Sequence, residues 1–361
     1  MSTTTTLSRF PALAERALPG LALCCVLAAA STWLGAQPWF QSHGLSALTV
    51  AIVLGLFAGN TVYPRFAQVG DPGLAFAKTQ ILRTGVVLYG FRLTLQDLQH
   101  LGLSGIAVDA LVLGSTFAVA WLIGTRVLGL DRRTAALIGA GSSICGAAAV
   151  MATAPVVRAR SDQVAVAVAG VVAFGTLSIF LYPLLFSLNL NWQFIPGNAT
   201  GFGLYIGSTV HEVAQVVAAS RAIGPEAANA AIVAKLARVI MLAPFLLMLS
   251  AWIAQEPEAE GAQAAPSRGG NLIKHMPWFA LAFVGVVLFN SLHWVPPSGI
   301  AAITQIDNFL LAAAMAGLGL STRLPALRDA GVRPMALALV LFVWLVGGGA
   351  LINRLVQGAL G

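Results

Sequence analysis

The chain has 361 residues, 58% of them hydrophobic and 9% charged, with a mean hydropathy of +0.84 and a formal net charge of +7. A soluble domain carries about 25% charged residues, so this composition excludes one and reads as an all-α polytopic membrane protein. The basic residues fall mostly in or near loops, where they orient helices rather than bind nucleic acid; three cysteines, two of them adjacent at Cys24 and Cys25, form neither a disulfide framework nor a metal pattern, and no cofactor is implied.

Residues 1–17 are polar at their start and read as a disordered tail; residues 18–361 read as one membrane transporter domain. Leu18 to Ala36 ends in the small residues Ala28, Ala29 and Ala30, but is followed only by more apolar segments, so it reads as an uncleaved first span and not as a signal peptide. A helix needs about 20 apolar residues to cross the hydrocarbon layer. On that ruler there are ten to eleven candidates: Leu18 to Ala36, Leu45 to Asn60, Thr79 to Leu93, Gly102 to Gly124, Thr134 to Val157, Gln163 to Ser187, Thr200 to Ser220, Ala228 to Trp252, His275 to Leu292, Ile300 to Leu320 and Met335 to Gln357. The second and third are short, so either they extend into neighbouring polar residues or they do not span alone. With the N-terminus cytoplasmic, 12 basic residues lie inside and 5 outside, which favours N-inside, C-outside. The polar stretch 255–273 reads as a linker loop too short to fold. On either side of it, RLTLQDLQHLG from Arg92 and GLSTRLPALRDAG from Gly319 form a faint repeat of the kind found in duplicated transporter halves.

Chemistry is expected where polar groups fall inside spans, because charge at membrane depth is costly and marks function. In the fifth span, Gly139 to Met151 reads GAGSSICGAAAVM. Ser142, Ser143 and Cys145, with Gly146 and its neighbouring glycines, permit an unwound bend whose following half-helix would present N–H groups and a positive dipole end to an anion. A small-residue packing face is the alternative for the same run. In the seventh span, Ser208, His211 and Gln215 follow i, i+3, i+7 on one face, with Glu212 beside them; a His next to a Glu at this depth suits proton exchange. HEVAQ begins like a zinc-protease motif, but its fifth residue is Gln215, so no metal is expected.

Lys235 and Arg238 lie one turn apart in the eighth span, where they either snorkel or face an acid such as Glu212 or an anionic substrate. Arg83 sits near the centre of LRTGVVLYGFRLT, and Asp109 and Asp307 lie in the fourth and tenth spans. Asp109 has Thr116 two turns later and alternatively serves as a helix–helix hydrogen-bonding group. Three buried cations and an unwound helix favour an anionic substrate, and the proton is the expected coupling ion.

GAGSSICGAAAV, FGLYIGSTVHEVAQVVAAS followed by KLARVIMLAP, LRTGVVLYGFRL, MPWFALAF and AMAGLGLSTRL resemble the YeiH family, a bacterial membrane family to which sulfate export has been ascribed. The resemblance runs from about residue 20 to the end. It implies a bacterial inner-membrane exporter of sulfate or a related oxyanion. Leu93 to Leu101 followed by Asp131 to Asp162, and HEVAQVVAASRAIGPEAANAA, more distantly resemble the sodium/bile-acid symporters. That likeness implies two broken helices crossing at the midplane, with Ser142 to Gly146 facing His211 to Gln215, in a core that moves against a separate panel. An inverted repeat would need antiparallel crossovers, whereas the fifth and seventh of eleven spans run parallel. The sodium ligands are not matched, so no sodium site is expected.

The expected function is therefore a secondary transporter: Ser142, Ser143, Cys145, Gly146, Ser208, Gln215, Lys235, Arg238 and Arg83 hold substrate, and His211, Glu212, Asp109 and Asp307 handle protons. An anion channel or pore is the alternative, and a membrane-embedded enzyme with Cys145 as nucleophile the third; no catalytic activity is expected. Partners are the anion, the proton and the lipid bilayer, and a homo-oligomer stays open.

Overall fold

Helix forms in every one of the eleven apolar stretches in the computed structural model, which describes residues 9–42, 47–95, 102–253, 278–323, 325 and 329–360. In chain order the helices are α1 (Arg9–Gly35), α2 (Pro38–Ser42), α3 (Ala47–Thr61), α4 (Ala67–Phe76), α5 (Leu82–Tyr89), α6 (Gly102–Leu122), α7 (Arg132–Ser143), α8 (Ala147–Val156), α9 (Ser161–Trp192), α10 (Asn198–Thr209), α11 (Val213–Arg221), α12 (Pro225–Ile240), α13 (Leu242–Ile253), α14 (Trp278–Asn290), α15 (Pro297–Ser321) and α16 (Val332–Leu360). No strand occurs among the described residues. Six helices among them are long and apolar enough to cross a bilayer, and shorter apolar helices accompany them. The protein is an all-α polytopic membrane protein. Large side chains such as Phe57, Leu103, Trp192, Trp294 and Val332 stand outward and exposed, as a surface that meets lipid requires.

α1 begins at Arg9, inside the segment expected as a tail. Residues 1–8, the linker 255–273 and the loop portions of the faint repeat lie outside the described residues. The third apolar stretch is longer than its composition suggests: α4 runs through Pro72, a π turn at Ala77–Ile81 follows, and the helix continues as α5 into a 3₁₀ turn at Gly90–Arg92. The π turn comes soon after the proline, whose ring removes one ladder bond.

The chain divides into two compact units. The first comprises Met1–Gln96, Arg221–Ile223 and Leu281–Leu324, the second Asp97–Ser220, Gly224–Ala280 and Pro325–Gly361. In the first unit α15 packs along α3 and α5, and α1 packs on α3, α4 and α15. Asn60 Nδ2 donates to the Thr322 carbonyl at 2.9 Å, tying the ends of α3 and α15.

In the second unit α6 packs on α7 and α16, α9 on α7, and α10 along α12. The α10–α12 contact is close because a Cβ at Gly203 would meet Ala230 Cβ at 2.9 Å, and one at Gly207 would meet Ala234 Cβ at 2.8 Å. Small residues at these positions let the two backbones approach. Two spans of this unit are broken. The fifth stretch is α7 and α8, of 12 and 10 residues; the seventh is α10 and α11, of 12 and 9 residues. At 1.5 Å per residue each half is about 14 to 18 Å long, roughly half of a 30 Å hydrocarbon layer, so each break falls near mid-depth of its span.

Candidate functional site

The first break follows from three residues. Ile144 leaves the helical region at φ −123°, ψ −82°, and Gly146 adopts φ +71°, which a side chain would strain. The Gly146 N–H turns back to the Gly141 carbonyl at 2.9 Å and closes the end of α7. At the other end of α7, Asp131 caps the helix by accepting from the N–H groups of Arg133 and Thr134, and it also accepts from Gln163 Nε2 at 2.7 Å.

The second break begins where Val210 is extended, at ψ 144°. Its far side is half of a capping box: the Glu212 N–H donates to Gln215 Oε1 at 3.0 Å, three residues on. The Glu212 carboxylate also reaches beyond its own helix. Its Oε1 accepts from the Ala147 N–H at 3.0 Å, the first residue of α8. The second broken span thus helps to cap the first.

Every broken helix leaves carbonyls at one end and N–H groups at the other, and burial without partners is costly. Here the carbonyls go to two cations. Lys235 Nζ donates to Ile144 O at 2.6 Å and to Val210 O at 2.7 Å. Arg238 Nε donates to Ser143 O at 2.6 Å, and its Nη1 donates to Ser208 O. Both side chains are fully buried. They stand at the C-terminal ends of α7 and α10, where the helix dipole is negative, while Glu212 stands at the positive end of α8. The sequence expectation was that Lys235 and Arg238 face an acid or an anion. Their hydrogen-bond partners are four main-chain carbonyls, because the two breaks leave these groups without helical partners within reach of α12.

Several polar atoms at these breaks are buried without a hydrogen-bond partner among the described residues: Ser142 Oγ, His211 Nδ1, Gln215 Nε2 and Arg238 Nη2. Ser143 Oγ turns back to Ala140 O at 3.4 Å, and the Cys145 thiol is buried and free. Asp109 on α6 is fully buried, and neither of its carboxylate oxygens has a hydrogen-bond partner among the described residues; nor does Thr116 Oγ1, two turns along. The charges of Arg238 and Lys235 act on Asp109.

The expected face of Ser208, His211 and Gln215 is corrected. The break separates them: Ser208 ends α10, His211 lies in the break and Gln215 is in the first turn of α11. Helical spacing does not carry through a gap in the helix. The unit nevertheless gathers Ser142, Ser143, Cys145, Gly146, Ser208, His211, Glu212, Gln215, Lys235 and Arg238 at or against the two breaks. Asn353 of α16, which the sequence pattern did not single out, donates to Ser208 Oγ at 3.0 Å and to Gly349 O at 2.8 Å. Its signal was an amide inside the apolar run LINRLVQG.

Arg83 and Asp307 belong to the first unit. Asp307, fully buried, pairs with Arg92, whose Nη2 also donates to Asn308 Oδ1 at 2.9 Å and to Thr304 O at 3.1 Å. The guanidinium groups of Arg92 and Arg221 lie 4.8 and 5.1 Å from the centre of the Tyr89 ring. Asp307 therefore forms an ion pair within its own unit, and Arg83 lies half-buried on α5.

The sequence matches the family described as Conserved hypothetical protein 698 over residues 19–338. It is 55% identical to a UPF0324 membrane protein of Pseudomonas aeruginosa over 94% of this chain and 95% of that protein. It is 50% identical to the UPF0324 inner membrane protein YeiH of Escherichia coli over 95% of each, and 49% identical to a UPF0324 membrane protein of Yersinia pestis over 95% of this chain and 93% of that one. No solved structure matches the chain. This chain belongs to the Conserved hypothetical protein 698 family and is a relative of the UPF0324/YeiH membrane proteins.

Proposed function

We propose that this protein is a secondary transporter that exports sulfate or a related small oxyanion across the bacterial inner membrane, with the paired breaks as its substrate site. The observation that carries the reading is the convergence of two discontinuous helices on one buried cation pair, Lys235 and Arg238. Discontinuous helices at mid-depth are the usual construction of transporter sites, and ionisable groups at that depth mark substrate or ion paths. The carbonyl bonds occupy two of the three ammonium protons of Lys235 and leave Arg238 Nη2 over. That nitrogen, the Ser142 hydroxyl and nearby N–H groups are the donors for an oxyanion. His211 and Glu212 link occupancy to a proton. Sulfate itself comes from the family resemblance, and oxyanion chemistry from the donors.

The test is purified protein in liposomes, loaded in turn with sulfate, thiosulfate and phosphate, under an imposed pH gradient. Uptake of labelled anion accelerated by unlabelled anion on the opposite face is expected of a carrier. Flux without that acceleration makes the protein a pore, and absence of flux for every anion rejects the reading.

A further inference from the structure

The N-terminus of α8, where a half-helix offers N–H groups and positive dipole to an anion, already holds one. The Glu212 carboxylate accepts from the Ala147 N–H at 3.0 Å. It also lies against Gly146 closely enough that a Cβ there would come within 2.8 Å of Oε1. Gly146 thus serves two ends, a positive φ of +71° and room for the carboxylate. Glu212 reaches across to the other broken span, while its own N–H donates to Gln215 Oε1.

Two further observations mark the place as one for a ligand. Glu212 is only half-buried while His211 and every residue from Val213 to Ser220 are buried, so part of this residue is open to its surroundings where its neighbours are enclosed. Around the breaks, Arg238 Nη2 and Ser142 Oγ are more than nine-tenths buried and lack hydrogen-bond partners among the described residues. Arg238 is joined to Ser143 O, within four residues of Ala147.

We infer that Glu212 is a tethered competitor for the transported oxyanion: its carboxylate holds the α8 N-terminus when substrate is absent, and substrate binds there only after the carboxylate has left. This rests on the oxyanion-transport reading and states how its site is regulated. Release follows protonation. One proton from water on the accessible face adds to the Glu212 carboxylate, the neutral carboxyl is a weaker acceptor for the Ala147 N–H, and the oxyanion takes its place. One proton and one anion thereby become linked at a single backbone N–H. The charged and titratable groups that bear on Glu212 are its neighbour His211, Cys145 of the first break and Lys235 of α12, with Arg238 and Asp109 acting on Lys235 in turn.

A site open only in the fraction of molecules whose competitor has left binds with an affinity lowered by that fraction. The experiment measures the dissociation constant of labelled sulfate for purified full-length protein at pH 7.5 and 5.5, in wild type, Glu212→Gln and Glu212→Ala. Glutamine keeps the shape and loses the charge; alanine removes the side chain, so one variant serves if the other does not fold. The expected result is wild-type binding about tenfold tighter at the lower pH, and tight, pH-independent binding in the variants. Sulfate binding to wild type with equal or weaker binding in both variants overturns this inference and leaves the transport reading standing. Failure of wild type and variants alike to bind sulfate, thiosulfate or phosphate overturns both.

Discussion

Replacing Lys235 with methionine tests the clasp at the two breaks most directly. The substitution keeps the length and apolar stem of the side chain and deletes the bonds to Ile144 O and Val210 O. Hydrogen bonds to a charged group contribute about 1.5 to 3 kcal/mol each, so two of them amount to about 3 to 6 kcal/mol. Removing the ammonium also removes the cost of burying it, which brings the net loss to about 3 kcal/mol. With an unfolding entropy of about 2.1 cal/mol/K per residue over 361 residues, that loss lowers the melting temperature by about 4 °C. The assay is thermal unfolding of the detergent-solubilised protein followed by a thiol-reactive or intrinsic fluorescence signal. Lys78→Met, at an exposed position, is the control and should shift stability by less than about 0.5 kcal/mol. A Lys235→Met protein that melts with the wild type, while losing affinity for anion, would refute the clasp and return Lys235 to a purely substrate-binding role.

His211→Gln should retain anion flux in liposomes but weaken its dependence on pH, the remainder coming from Glu212; an unchanged pH profile rejects the coupling role of His211. Gly146→Ala meets both a positive φ and the Glu212 side chain, and should cost about 2 kcal/mol or more in thermal unfolding. Gly114→Ala on α6, where nothing lies within 4 Å of the added carbon, should instead be neutral or stabilise by up to about 1 kcal/mol. Asp307→Asn breaks the pair with Arg92 in the first unit and should lower stability by about 2 kcal/mol, less than a fully buried pair because Arg92 is partly exposed, without abolishing the pH dependence of transport.

The first break was legible in the residues, whereas the second was read from them as one continuous face and entered only through the distant resemblance. A run of Gly, Ala and Ser makes a poor lipid-facing helix, and a His–Glu pair at membrane depth is too costly to serve packing alone. The partners of Lys235 and Arg238 were not legible. Their i, i+3 spacing put them on one face, but the groups opposite them are carbonyls, which every residue carries and which become available only where a helix stops. The bond of Glu212 to the start of α8 was hidden for a similar reason, since local pattern does not show a main-chain partner in another span. The third stretch was read as starting at Thr79, whereas the helix begins upstream and runs through Pro72 with a π turn at Ala77–Ile81, because a helix tolerates one lost ladder bond at a proline. Asn353 was one amide in an apolar run, and only the proximity of Ser208 gives it meaning.

The capping of the two broken spans uses main-chain atoms for much of its chemistry: the carbonyls of Ser143, Ile144, Ser208 and Val210 and the N–H of Ala147. Such atoms survive any side-chain replacement. An alanine scan through SSICGA and STVHEV would therefore map this region poorly, leaving Ser143, Ile144 and Val210 looking dispensable. The informative perturbations are those that rewrite the chain itself: an ester in place of the amide at Ala147, which deletes its N–H, or a one-residue insertion after Ser143, which turns the next carbonyl away from Lys235.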